Sequence, residues 1–182
     1  NNSKIGARCS IKGIVDGCTI KDNVKIDDSC VENSIVDENV NIGPYSYIHD
    51  DCLIKVGSFI GSYVELKKTI IGCRCKVKHQ SVLLDCIIGD DVNVGAGVIS
   101  ANYDGKMKHI SSIGNSSFIG CNSVIISPIK IGDNCFVAAD TTVVKDIENN
   151  EFLNELLFGK YKSSYLKNLD IVQIYFRNNL LF

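Results

Sequence analysis

An aliphatic residue recurs every six positions along most of this chain. From Val36 the series runs Val36, Ile42, Ile48, Ile54, Ile60 and Leu66, and from Ile113 it runs Ile113, Ile119, Ile125, Ile131, Val137 and Val143. Shorter pieces keep the step: Ile14, Ile20 and Ile26; Ile71, Val77 and Leu83; Ile88 and Val94. Six residues at ~100° each leave successive anchors ~240° apart around a helix, so no helical face could collect them. On strands six is an even number, so every anchor can face the same side. Steps of five, Leu66 to Ile71 and Leu83 to Ile88, read as one-residue deletions at a corner.

The residue four after each anchor is two before the next and should share the inward face, at a corner where space is short. Those residues are Val40, Ser46, Cys52, Ser58 and Val64, then Ser117, Ser123, Ile129, Cys135 and Thr141. All but Ile129 are small or β-branched. Cys9, Cys18, Cys30, Cys52, Cys75 and Cys135 occupy the same slot, so most of the nine cysteines read as small buried hydrophobes. Cys73, Cys86 and Cys121 fall outside it. An odd cysteine count does not fit a disulfide framework, and the Cys73-x-Cys75 pair is followed by no second Cys/His pair at zinc-site spacing, so reduced thiols in a cytoplasmic protein are expected.

The pattern predicts an all-β chain folded as a parallel β-helix of hexapeptide repeats. Ile5 to Ile147 accommodates about eight coils of ~18 residues, and at ~4.8 Å per rung the prism is roughly 38 Å long. The expected organisation is a β-helix domain over 1–147 and a C-terminal tail over 148–182. In that tail Phe152, Leu153, Leu156 and Leu157 have helical spacing. The 19 basic residues are scattered among 21 acidic ones, giving a net charge of −2 and no footprint for nucleic acid. No apolar run approaches the ~18 residues of a membrane span. No secretory leader pattern opens the sequence and Asn1 is not an initiator Met, so the chain reads as a fragment or a trimmed protein.

The rhythm fails between Ala101 and Ser112. The interruption, Asn102-Tyr103-Asp104-Gly105-Lys106-Met107-Lys108-His109, has the composition of a loop leaving a rigid scaffold, where function often resides.

Around that break lie Tyr63-Val64-Glu65-Leu66-Lys67-Lys68, Lys78-His79, Asp91-Val92-Asn93-Val94-Gly95-Ala96-Gly97 and Asn102-Tyr103-Asp104-Gly105-Lys106. In order and spacing these resemble the acetyltransferase half of the bacterial bifunctional N-acetylglucosamine-1-phosphate uridyltransferase/glucosamine-1-phosphate acetyltransferase family. The resemblance covers roughly residues 1–147 and is most specific over 59–108. It implies a left-handed coil, a homotrimer, acetyl-CoA as co-substrate, no metal in the acetyl transfer, and a product that feeds UDP-N-acetylglucosamine and peptidoglycan synthesis. His79 matches the general base that frees the acceptor amine. Lys67 and Lys108 match residues that contact the sugar phosphate, and Asn93 matches a sugar-binding amide. Ala96, Asn102, Tyr103 and Ala139 match positions lining the acetyl-CoA site.

The sequence departs from the family in four places. His49-Asp50 stands where the family has Arg-Pro, Val82 where a Tyr usually faces the sugar, and Cys121 where a Ser lies near the cofactor. Leu156 stands roughly where an Arg helps hold coenzyme A. The family's Gly-rich nucleotidyltransferase loop has no counterpart, so this chain alone is not expected to make UDP-N-acetylglucosamine from UTP. Three other readings share the scaffold: a non-catalytic trimeric module, an acetyltransferase for another amino sugar, and a zinc enzyme using His49, His79 and His109.

Overall fold

The computed structural model describes residues 2–153. They form a three-sided left-handed parallel β-helix, the all-β fold the hexad implies. Among the described residues every strand pairing is parallel. Anchors stack in register, coil upon coil. On the first face Ile5, Ile20, Val36, Ile54, Ile71, Ile88, Ile113, Ile131 and Ile147 form one line. On the second, Ile26, Ile42, Ile60, Val77, Val94, Ile119, Val137 and Leu153 form another. The third carries Val31, Ile48, Leu66 and Leu83, then Ser100, Ile125 and Val143. Nearly all of these side chains are fully buried, each contributing about 1.5–3 kcal/mol.

Corners are built from a pair of residues. The small corner residue is buried at Val40, Ser46, Cys52, Ser58, Val64, Ser117, Ser123, Cys135 and Thr141, as its spacing predicts. The residue before it adopts a left-handed backbone: Asn39, Asp51, Arg74, Asp91, Asn122, Asn134 and Asp140 all have φ between 53° and 64°. Asn and Asp tolerate that conformation best among residues with side chains, which explains their recurrence there. Corner hydroxyls also knit the coils together. Ser58 Oγ donates to the Gly72 carbonyl (2.7 Å) and accepts from the Cys75 amide (2.9 Å), and Ser117 does the same with Gly132 and Cys135. Thiols substitute in the slot: Cys75 Sγ donates to the Gly89 carbonyl at 3.0 Å.

Four expectations need correction. Ile14 points outward, because an irregularity between Ile11 and Gly13 shifts the register and puts Val15 opposite the buried Val31. Cys30 also faces outward, paired with Tyr47, because Ser29 takes the corner slot of its coil. Cys86 does belong to the slot: after the five-residue step it lies two before Ile88 and is buried. Phe152 and Leu153, read at helical spacing, instead form a strand on Phe136 and Val137, one more rung of the second face. Leu156, Leu157 and the rest of the expected helix lie outside the described residues. Among the described residues no helix is long and apolar enough to cross a membrane.

Candidate functional site

The coil between Ile88 and Ile113 is the longest, and its extra residues leave the prism at the corner between the third and first faces. Ser100 marks the exit. It sits at an anchor position, buried, and its Oγ accepts from the Leu84 amide at 2.6 Å and donates to the Leu84 carbonyl at 3.1 Å. A side chain thus takes over a place in the strand ladder, and the backbone is released into the loop two residues later. Asp104 then organises that loop. Its carboxylate accepts from the Lys106 and Met107 amides (2.7 Å each) and lies 2.7 Å from His109 Nε2. These bonds, His109 first, hold the Asp104 carboxyl far below the usual carboxylate range. Asn102 is buried and donates to Asp85, while Tyr103 and Lys108 are exposed and joined by an antiparallel bridge.

The sequence-selected residues fall into two groups on opposite edges of the third face. At the edge shared with the second face, the strand register carries one position through successive coils: Ser62, His79, Ala96, Cys121 and Ala139. Backbone bonds rivet this column, Gly97 amide to His79 carbonyl (3.0 Å), Asn122 to Ala96 (2.8 Å) and Asp140 to Cys121 (2.7 Å). Gly95 lets the coils close there, since a Cβ on it would lie 2.6 Å from the Cys121 nitrogen. His79 is exposed at the end of the strand Lys76–His79, with Ser62 Oγ 3.3 Å from its Nδ1. In the tautomer whose Nδ1–H donates to Ser62 Oγ, Nε2 carries the lone pair that takes a proton. Asn93 is half-buried on the second face, one coil above Lys76.

At the other edge are His49 and Lys67, in register on adjacent coils, followed by Leu84 and then by the loop. His49 is buried and stacked on Tyr47, with ring centroids 4.1 Å apart. Lys67 Nζ lies 2.9 Å from Asp50 Oδ2. Val82 lies on the strand between the two edges, flanked by Glu65 and Ile99. The structure therefore brings His79, Ala96, Cys121 and Ala139 together, brings His49 and Lys67 together, and separates the loop residues Asn102, Tyr103 and Lys108 from the first group by the width of the third face.

Ser62 was not singled out from the sequence, and Asp50, Glu65 and Asp104 stood there only within quoted motifs, with no role assigned. Ser62 could have been found by counting one whole coil back from His79, but a count of six misses it because a five-residue step intervenes. The three histidines occupy three separate places, and among the described residues no group of three or more His, Cys, Asp or Glu could hold a metal ion.

Comparisons with known proteins agree with this architecture. The family model described as bacterial transferase hexapeptide (six repeats) matches residues 111–145. The chain is 43% identical over 131 residues to the bifunctional protein GlmU of Caldicellulosiruptor saccharolyticus, a match covering 72% of this chain and 28% of that one. It is 39% identical over 153 residues to GlmU of Clostridium beijerinckii, covering 82% of this chain and 33% of that one. The chain thus spans about a third of the length of these curated relatives. Among solved structures, the acetyltransferase domain of PglB from Neisseria gonorrhoeae, in complex with acetyl coenzyme A, aligns with a TM-score of 0.57 at 18% identity. That alignment covers 63% of this chain and 53% of that one, a likeness of fold.

Proposed function

The chain is a hexapeptide-repeat protein related in sequence to the bifunctional GlmU proteins, and from that premise we propose that it transfers the acetyl group of acetyl-CoA to the amine of an amino sugar, with glucosamine-1-phosphate as the acceptor. The observation that carries this reading is the column at one corner: an exposed imidazole whose Nδ1 is engaged by Ser62, continued by three small residues, Ala96, Cys121 and Ala139. A base stands at the head of a smooth track along which a pantetheine arm can lie against the backbone.

In this reading the acceptor lies across the third face, its amine toward His79 and its phosphate toward Lys67. Asn93 contacts the sugar from the second face, and Val82 lies beneath the ring. The acceptor amine is an ammonium at neutral pH and cannot attack. His79 Nε2 takes its proton, and the freed nitrogen forms a bond to the thioester carbonyl carbon. The carbon–sulfur bond then breaks, the departing thiolate takes up the proton that His79 carries, and the remaining extra proton on the attacking nitrogen passes to water as the amide forms. Acid–base help of this kind is worth about 10²–10⁴ in rate.

Asn102 and Tyr103 belong to the opposite edge, so they would line the same acetyl-CoA site only if supplied by a neighbouring copy; Lys108, on the same loop, keeps its role as a contact to the acceptor phosphate. A homotrimer meets that requirement. An outward apolar line on the first face, Ile35, Leu53, Ile70 and Ile87, is in register over four coils and suits such packing. The reaction draws on acetyl-CoA, and a cytoplasmic setting is proposed on that ground.

The test is to incubate the protein with glucosamine-1-phosphate and acetyl-CoA and to measure N-acetylglucosamine-1-phosphate by mass spectrometry, beside His79→Ala. Product that is lost in the variant supports the reading. A folded trimer that makes no product and binds no acetyl-CoA leaves a non-catalytic module.

A further inference from the structure

The edge that carries Lys67 holds more negative charge than a phosphate-binding edge needs. Asp50 Oδ2 lies 2.9 Å from Lys67 Nζ, and Asp50 Oδ1 lies 3.5 Å from His49 Nδ1. Glu65 Oε1 lies 3.5 Å from His49 Nε2. Backbone geometry fixes this arrangement. Asp50 is one of the left-handed corner residues, at φ 53°, and its carbonyl accepts from the Lys68 amide at 3.0 Å. Its side chain is therefore delivered onto the His49–Lys67 register pair, not left free in solvent. The pairing raises the Lys67 ammonium and lowers the Asp50 carboxyl, each because of the other, so both stay charged through neutral pH. One lysine faces the carboxylates of Asp50, Asp85 and Glu65.

A sugar phosphate carries roughly −1.5 to −2 at pH 7. To reach Lys67 it must displace Asp50 from the ammonium and then sit beside both Asp50 and Glu65. We propose that Asp50 is a specificity-determining residue: its carboxylate occupies Lys67 where an acceptor phosphate would bind, so that amino sugars lacking that phosphate are disfavoured far less than their 1-phosphates. This rests on the acetyl-transfer reading for its kinetic form but not for its binding form. Asp50 acts through Lys67, so it is a positioning residue, and its removal should change acceptor affinity rather than turnover.

Asp50→Asn keeps the shape and tolerates the left-handed backbone. Asp51→Asn removes the same charge one residue away and is the control. Steady-state kinetics with glucosamine-1-phosphate and with glucosamine should show Asp50→Asn lowering KM for the phosphate by about three- to fivefold, the order of one solvent-exposed ion pair. KM for glucosamine and kcat for both should stay within about twofold, Asp51→Asn should match the parent, and Lys67→Met in the Asp50→Asn background should cancel the gain. An equal change for both acceptors, or none for the phosphate, overturns the proposal. If the parent acetylates neither acceptor, the acetyl-transfer reading fails but this one is still decided. Calorimetric titration with glucosamine-1-phosphate must then give tighter binding to Asp50→Asn than to the parent, and equal affinity or binding by neither refutes it.

Discussion

Ser58 is a direct probe of what holds the coils together. It is fully buried, its Oγ donates to the Gly72 carbonyl at 2.7 Å, and it accepts from the Cys75 amide at 2.9 Å. Ser58→Ala leaves the Cys75 amide without that partner inside a fully buried corner. An orphaned buried donor costs about 1–3 kcal/mol, and loss of the bond to Gly72 places the effect in the upper half of that range. For a chain of this size about 1 kcal/mol lowers Tm by roughly 2–4 °C, so the fall should be roughly 4–12 °C. Ser58→Cys should lose less than half as much, because Cys75 and Cys135 occupy equivalent corners with their thiols bonded to the next coil. Thermal unfolding followed by circular dichroism reads the stability, and hydrogen exchange at the Cys75 amide reads the bond itself. If Ser58→Ala unfolds within about 1 °C of the parent with the Cys75 amide still protected, the corner requires only a small residue, and the hydrogen-bond argument is wrong.

Two further outcomes follow from the loop and the thiols. Asp104→Asn should free the loop, seen as faster tryptic cleavage after Lys106 and Lys108 at neutral pH. Because the Asp104 carboxyl is depressed in the folded protein, its contribution is complete above the ordinary value of about 3.9 and is lost only as pH falls toward its lowered folded value. Protection of the Lys106 and Met107 amides should accordingly persist at pH 4 in the parent and be reduced at neutral pH in Asp104→Asn, whose Oδ1 still accepts from both amides but without the charge. Alkylation at pH 8 with peptide mapping should label Cys121, which is exposed, well before Cys75 and Cys86, whose burial pushes both thiols up to about 11. Equal labelling of all three would contradict the corner packing.

Much of this fold is legible in the sequence because a six-residue step on strands leaves only one way to bury the anchors. The stacks from Val36 to Leu66 and from Ile113 to Val143 follow directly. What escaped is local. Ile14 fits the hexad, but a shift at Gly13 turns it outward, and periodicity carries no trace of an extra residue. Cys30 fits the slot, but the adjacent Ser29 fills it. The break at Ser100 is visible as a missing aliphatic residue, whereas its hydrogen bonds to Leu84, which free the loop, depend on the neighbouring coil. Contacts between coils are the general blind spot. Asp50 reads only as a neighbour of His49 until the fold sets it beside Lys67, and Ser62 meets His79 only once a whole coil is wound.

The candidate site divides the same way. The resemblance selects His79, Ala96, Cys121 and Ala139 as separate positions, and the register makes them one column. It selects Lys67 as a phosphate ligand without indicating that a carboxylate already engages it.

The most direct measurement is single-time-point product analysis of the protein with acetyl-CoA and glucosamine-1-phosphate, run beside His79→Ala and Ser62→Ala. The account predicts N-acetylglucosamine-1-phosphate from the parent, a loss of about 10²–10⁴ in rate for His79→Ala, and a smaller loss for Ser62→Ala. Equal rates for the parent and His79→Ala would contradict it.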